Sequence, residues 1–264
     1  MLNRVSTGIR MKNQSGFTLV ELSIVILIMG LLLGGLAMPL SVQLDNGRIR
    51  ESREQLLEVE EALQGFALVN GYLPCPATPA SSGLAATAGG ACTAQHGFVP
   101  VSTLGLAGPR NADNLLLDVW SSPLRYSVSA SDADGDGNWD FTAPGEMRDV
   151  SMPALLPDLV VCRTSAGSSA TNCADAASSL TVASPAVLYS LGKDWGSFSS
   201  PDQQENVGTT IGGGPSGSSY PIAADIVFVD RRLSDQSGNE FDDIVLWTSA
   251  NRLYHRLVAG GQLP

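Results

Sequence analysis

The sequence predicts an α+β protein in which a long N-terminal α-helix packs on an antiparallel β-sheet domain with long, disulfide-stapled loops. An apolar run over 17–40 is followed by an amphipathic stretch to about residue 70. Short β-branched and aromatic segments separated by Gly, Pro and Ser fill the remainder. We therefore expect a leader over 1–16, a transmembrane helix over 17–40, an amphipathic helical half over 41–70 and a β-rich domain over 71–264.

Length and charge exclude several classes of protein. The 264 residues suit one globular domain with an added element, and are too few for a multidomain enzyme. There are 15 Lys and Arg against 26 Asp and Glu, a net charge of −11. We expect no nucleic-acid partner, because sequence-independent binding needs cations that replace phosphate counterions. A hydrophobic content of 44% is too high for intrinsic disorder.

The apolar run is long enough to cross a bilayer as a helix. The polar leader before it contains Arg4, Arg10 and Lys12 and no acid. A secretory signal peptide has a shorter apolar core followed by a small-residue cleavage site, whereas here the small residue Gly16 precedes the core. Basic residues flank the run on both sides, so charge does not decide the orientation. The four cysteines, all after the run, favour a cytoplasmic leader and a periplasmic C-terminal part.

Glu21 is the one charged residue within the apolar run. Ionisable groups inside membrane segments usually have a partner and a function. The alternative is a glutamate near the interface whose side chain reaches water. Gly30, Gly34 and Gly35 allow close helix contacts, and Pro39 interrupts the backbone hydrogen-bond ladder.

Gly16, the Phe-Thr-Leu-Val-Glu string over 17–21 and the following apolar helix with Gly30 and Pro39 resemble the class III signal of type IV prepilins and type II secretion pseudopilins. The resemblance implies a pilin-like fold, in which 17–40 forms the filament core. It also implies that a prepilin peptidase cuts between Gly16 and Phe17 and methylates the new amine of Phe17. Glu21 would then neutralise the terminal amine of a neighbouring subunit. The implied partners are other pilin or pseudopilin subunits, the peptidase, the inner-membrane assembly platform and, before assembly, membrane lipid.

A single apolar stripe continues the helix beyond the apolar run. Its members recur at steps of three and four residues, which is typical of one helix face. They are Ile49, Ser52, Leu56, Val59, Leu63 and Phe66, with charged residues including Glu60 and Glu61 between them. The helix is predicted to end at Asn70 and Gly71, ahead of Pro74.

The remainder predicts strands, loops and one further helix. The predicted strands are 98–101, 124–128, 159–162, 186–191, 226–229 and 244–248, forming an antiparallel sheet. Low-complexity loops are expected at 165–169 and 208–219. Ser249 is a candidate cap for a helix that runs through Val258 and ends at Gly260 and Gly261.

Four cysteines allow three disulfide connectivities, which sequence alone does not distinguish. The nearest-neighbour pairs Cys75–Cys92 and Cys162–Cys173 would each staple a loop rich in small residues. A metal site built on these thiolates is disfavoured, because the chain has two His and no Cys-x-x-Cys motif.

The stretch over 132–140 has the residue types of a calcium loop. Its predicted ligands are Asp132, Asp134, Asp136, Asn138 and Asp140, with Gly137 at the tight turn. Ala143 stands where an EF-hand has its bidentate Glu, and no flanking helices are evident, so the loop is not an EF-hand. The alternative is a solvated acidic turn. Ca²⁺ is the one cofactor that the sequence suggests.

We expect a structural protein rather than an enzyme, because the catalytic motifs of common hydrolases and nucleotide-binding enzymes are absent. The leading prediction is a minor pilin or pseudopilin of a type IV pilus or type II secretion filament. It would be anchored in the inner membrane by one segment and would reach a periplasmic pseudopilus or an extracellular pilus after assembly. The alternatives are a filament-borne adhesin or substrate-binding subunit and, less favoured, a DNA-uptake pilin.

Overall fold

Helix α1 spans Leu19–Asn70 and is the longest element of the chain. A computed structural model describes residues 16–195, 198, 200–207 and 225–263, and describes 33–42 by their backbone only. The chain divides into two compact units, Met1–Gly47 and Arg48–Pro264, so α1 contributes to both. Within the described residues, no helix combines the length and the apolarity needed to cross a bilayer. The side chains of residues 33–40, part of the predicted transmembrane segment, lie outside the described set.

The second half of α1 confirms the predicted stripe. Ser52, Leu56, Val59 and Leu63 are buried in the second unit, at 0–1% relative exposure. The helix ends at Asn70, where Gly71 adopts a φ of +82° and donates its backbone N–H to the Ala67 carbonyl at 2.8 Å. A left-handed glycine directly after the last turn is a common way to end a helix.

Within the described part of the chain, nine strands follow α1. They are β1 Thr87–Ala88, β2 Ala91–Cys92, β3 His96–Phe98, β4 Arg125–Val128, β5 Leu159–Cys162, β6 Ser179–Ser184, β7 Ala186–Ser190, β8 Val227–Val229 and β9 Ile244–Trp247. The first two form a small hairpin. A four-stranded antiparallel sheet has the order β3-β4-β7-β9, and a three-stranded sheet has the order β6-β5-β8.

Strand β7 lies at the centre of this arrangement and is buried throughout. Ala186 and Leu188 join the core that contains α1, whereas Val187 and Tyr189 join a second core with Leu159, Val161 and Phe228. Successive side chains of a strand point to opposite faces. The four-stranded sheet is therefore covered by helix on one face and by the three-stranded sheet on the other.

The structure corrects two features of the predicted sheet. The prediction of an antiparallel sheet is confirmed for the four-stranded sheet, but the strands form separate sheets and β5 pairs with β8 in parallel. A parallel pair needs a long crossover, and here the crossover includes β6 and β7. Strand β6 was missed because it is polar and Ser-rich, and Val101 begins a short helix instead of ending a strand.

Among the residues that the structure describes, the second unit also has four shorter α-helices. They are α2 Val101–Leu104, α3 Glu146–Asp149, α4 Pro201–Val207 and α5 Ala250–Ala259. Helix α5 confirms the predicted C-terminal helix, and Ser249 occupies its N-cap position without a side-chain capping hydrogen bond. Leu253 and Leu257 of α5 are fully buried in the core shared with α1.

A charged contact joins α5 to α1. Glu60 was assigned to the charged surface of α1, but it is 2% exposed. Arg252 lies 3.3 Å from its carboxylate and also donates to Glu61 at 2.6 Å. Burial raises the pKa of Glu60, and the nearby Arg252 charge opposes that rise. Burial of Glu60 is tolerated because an arginine from another element offsets the loss of water.

We predict that Arg252→Met lowers the free energy of unfolding by about 1–2 kcal/mol, because it leaves the buried Glu60 without its cation. The deficit should shrink at acidic pH, where Glu60 becomes protonated and needs no partner. Urea unfolding followed by circular dichroism measures both effects. Arg256→Met is the matched control, with a cost below about 1 kcal/mol, because Arg256 pairs with the half-exposed Glu61. If the two variants lose the same free energy of unfolding, Arg252 is not the residue that stabilises the buried Glu60 carboxylate.

Candidate functional site

The residues around Gly16 lie at the very start of α1. Gly16, Phe17 and Thr18 precede the first helical residue, Leu19. The Thr18 Oγ1 atom accepts a hydrogen bond from the Glu21 backbone N–H at 3.2 Å, and the Thr18 carbonyl accepts one from the Leu22 N–H at 3.1 Å. Thr18 is therefore the N-cap of the helix. The Gly16–Phe17 peptide bond lies outside helical structure, where backbone is accessible to an enzyme.

The capping role of Thr18 was missed in the sequence, although its signal is present. Thr18 and Glu21 have the Thr-x-x-Glu spacing of a capping box. A capping box consists of two hydrogen bonds. The one described here is that in which the Thr18 side chain accepts the backbone N–H of Glu21, the third helical residue. Thr18 thus fixes where the helix begins relative to Glu21, which lies three residues later.

Every described side chain over 16–32 is exposed. Phe17 is 83% exposed and Leu19 is 87% exposed, and large apolar side chains surround Glu21 on all sides of the helix. A contiguous apolar surface of this kind marks contact with a membrane or with other proteins. Residues 1–15 and the predicted loop 208–219 lie outside the described residues, and Gly34, Gly35 and Pro39 are described by their backbone only.

Two disulfides staple the second unit. Cys75 bonds Cys92 with a Cα–Cα distance of 5.2 Å, and Cys162 bonds Cys173 with a distance of 5.6 Å. These are the nearest-neighbour pairs. The first closes the segment that contains the β1–β2 hairpin, and the second ties the end of β5 to the loop that leads to β6. The second bond thereby ties a loop to a strand of the three-stranded sheet, and the first closes the segment ahead of β3.

The acidic loop at 132–140 brings three of its five predicted ligands together. Asp132, Asp134 and Asp136 each place a carboxylate oxygen within 4.8 Å of the other two. The Asp132 carboxylate accepts backbone N–H groups from Gly135 at 2.7 Å and Gly137 at 2.9 Å. These hydrogen bonds, that of Gly137 first, lower the pKa of Asp132. Both glycines have positive φ, which lets the backbone curl around this carboxylate.

The other two predicted ligands are placed differently. Asn138 directs its amide nitrogen toward Asp136, 2.8 Å from Oδ2. Asp140 is fully buried, and its carboxylate accepts the Ala133 backbone N–H at 3.2 Å. Glu146 experiences the charges of Asp136 and Asp134, which add to a rise in its pKa caused mainly by desolvation. The three converging carboxylates are oxygen ligands that suit a hard divalent cation such as Ca²⁺, and calcium binding there stays a prediction.

Residues 11–37 match the protein-family model described as the prokaryotic N-terminal methylation motif. The matched stretch contains Gly16, Phe17, Thr18 and Glu21. Comparisons with curated proteins and with solved structures find no match for the chain.

We predict that Ca²⁺ stabilises the full chain and that a chelator lowers its melting temperature. Binding to the folded state alone stabilises it by about 2.7 kcal/mol at a hundredfold excess over Kd. Asp132→Asn combined with Asp134→Asn should remove the effect, whereas Asp175→Asn, in an exposed loop, should keep it. The measurements are calorimetric titration with Ca²⁺ and thermal unfolding with and without chelator. If Ca²⁺ does not bind and the chelator does not change the melting temperature, the calcium prediction is contradicted and the loop is a solvated acidic turn.

Proposed function

We propose that this chain, which carries the prepilin-type signal of type IV pilins and pseudopilins, is a minor pilin or pseudopilin that polymerises through its N-terminal helix. The signal points to a structural subunit that associates with other pilin subunits and is processed by prepilin peptidase. The observation that carries the proposal is the exposed apolar surface over 17–32 around Glu21, which begins directly after the signal's cleavage position. An isolated chain leaves that surface without a partner.

Position supports processing at the Gly16–Phe17 bond. Peptidases act on extended backbone, and this bond lies two residues before the first helical residue. Cleavage would create a terminal amine at Phe17, four residues ahead of Glu21. Because Thr18 would still cap the helix, the new terminus would keep its place relative to Glu21.

The apolar surface around Glu21 explains why its carboxylate would need a counter-charge after assembly. Packing this apolar helix among others, or in lipid, would remove the carboxylate from water at a cost of several kcal/mol if it stayed unpaired. A terminal ammonium on a neighbouring subunit would offset that cost, and their attraction is strong in a low-dielectric interior. Such a pair would set the axial register between subunits.

Anchorage in the inner membrane before assembly fits the same surface. We propose a single membrane segment over 17–40, with the disulfide-bonded second unit in the periplasm, since disulfides persist in oxidising compartments. The soluble part over 71–264 is large for a bulk fibre subunit, which favours a low-copy role in a pilus or a secretion pseudopilus. By resemblance, a retained Glu21 argues against the tip pseudopilin, which usually lacks this residue.

We predict that mature protein has the mass of a chain that begins at N-methylated Phe17. Intact mass spectrometry of protein from inner membranes and from sheared surface material measures this, and the fraction that contains it separates a pseudopilus from a surface pilus. Reduction should add four hydrogens. A mass that still includes the leader in cells with active prepilin peptidase would contradict the proposal.

We predict that Glu21→Ala is cleaved as the native chain is but fails to enter filaments, because the neighbouring amine loses its counter-charge. The measurement is the ratio of filament-bound to membrane-bound protein, expected to fall at least about tenfold if the pair is worth 1.4 kcal/mol or more. Glu58→Ala, an exposed glutamate farther along α1, is the control and should assemble normally. Normal incorporation of Glu21→Ala would refute the assembly role.

A further inference from the structure

Helix α4 lies among six carboxyl groups contributed by four parts of the second unit. Two belong to the helix itself, and the others come from the loop after β7, the position two residues before β8 and the segment before β9. They are Asp202, Glu205, Asp194, Asp225, Asp242 and Asp243. Three of the helix's seven residues, Asp202, Gln203 and Asn206, are buried against them. Val207 at the end of the helix packs against the core that contains Tyr189 and Phe228, and the other buried residues of α4 make polar contacts.

Gln203 joins the helix to two carboxylates at once. Its side-chain nitrogen lies 2.9 Å from Asp194 Oδ1 and 2.8 Å from Asp242 Oδ1. The second oxygen of Asp242 accepts the backbone N–H groups of Lys193 and Asp194. Gly192 permits this close approach, because a Cβ there would lie 2.4 Å from the Asp242 carboxyl carbon. The two carboxyl groups are therefore forced together by the fold.

The basic residues near α4 interact with Asp202, Asp235 and Asp243. Arg231 pairs with Asp202 at 2.6 Å, and Asp202 also accepts from the Ser165 N–H at 2.7 Å. Lys193 directs its ammonium to Asp235, 2.7 Å away. The Arg125 charge acts on Asp243, the buried neighbour of Asp242.

Protonation relieves the crowding of negative charge. Burial, followed by the neighbouring Asp194, raises the pKa of Asp242 to about 7. Burial, followed by the charges of Asp225 and Asp202, raises the pKa of Glu205 to about 7 as well. Burial also raises the pKa of Asp243 well above its usual value. The Oδ2 atom of Asp243 accepts a hydrogen bond from the Asn206 side chain of α4 at 2.7 Å.

We propose that α4 is a pH-responsive element, docked while Asp242 and Glu205 hold protons and loosened when both carboxyl groups ionise. The protonated Asp242 coexists with Asp194 and leaves Gln203 bonded to both. When Asp242 ionises, two negative carboxylates share the single side-chain amide of Gln203 in a buried site. When Glu205 ionises, its negative charge is repelled by that of Asp225. Helix α4 forms one wall of a polar cleft of about 360 Å³ that also contains Ser165, Ser168 and Asp225, so the same step changes that cleft.

The direction of the effect follows from linkage. Both groups bind protons more tightly in the docked helix than in a loosened one, so docking is favoured at low pH and is lost as pH rises through about 7. Ionisation of each carboxyl group can increase the equilibrium constant for loosening of α4 by about tenfold between pH 6 and pH 8. Two groups together set an upper limit of about a hundredfold.

Hydrogen–deuterium exchange of the full chain in detergent micelles tests the proposal. Rates for peptides over 201–207 are divided by those of an unstructured chain at the same pH, which removes the intrinsic pH dependence. Protection in the native chain should fall tenfold or more between pH 6 and pH 8. Asp242→Asn should reduce that fall by about tenfold, and adding Glu205→Gln should abolish it, since both amides are uncharged at every pH.

Controls keep the outcome decisive. Asp113→Asn alters a distant aspartate and should reproduce the native profile. If Asp242→Asn does not fold, Asp194→Asn removes the repulsion between the two carboxylates and should make the profile less steep than the native one, while burial still raises the pKa of Asp242. A native profile that is flat from pH 6 to pH 8 overturns the proposal, and so does a double variant whose profile is as steep as the native one.

Discussion

The packing of the second unit depends on strand β7, whose side chains enter two cores. Leu188 contacts the core that includes α1 and α5, and its neighbour Tyr189 enters the core closed by β5 and β8. A strand buried on both faces cannot alternate polar and apolar residues, which explains its continuous apolar run. The helical layer and the three-stranded sheet are then required, because either face would otherwise expose apolar surface to water.

Polar contacts attach the remaining elements to these layers. Arg252 of α5 meets the buried Glu60 of α1, and Asn206 of α4 pairs with both the backbone N–H and the carbonyl of Val229 on β8. Such contacts specify one geometry because a buried polar group left without its partner is costly. They also bring like charges together around α4, so the polar contacts that position this helix make it sensitive to protonation.

In the first unit, the described apolar side chains are exposed instead of buried in a core. Its described side chains over 16–32 are exposed, and apolar residues surround Glu21 without an inner face to bury them. A globular subunit satisfies its apolar surface within the chain, whereas this segment needs lipid or other subunits to do so. The proposed function, assembly through the N-terminal helix, rests on this exposed surface together with the prepilin-type signal.

Local patterns in the sequence determined the signal at Gly16 and Phe17, the end of α1 at Asn70, the apolar stripe and the C-terminal helix, because each depends on residues close together in the chain. Tertiary structure alone decided the parallel pairing of β5 with β8, the polar strand β6 and the burial of Glu60. It also decided the meeting of Asp194, Gln203 and Asp242 and the burial of Asp140. These features depend on contacts between distant residues, whose energies arise from burial and pairing that no local spacing encodes.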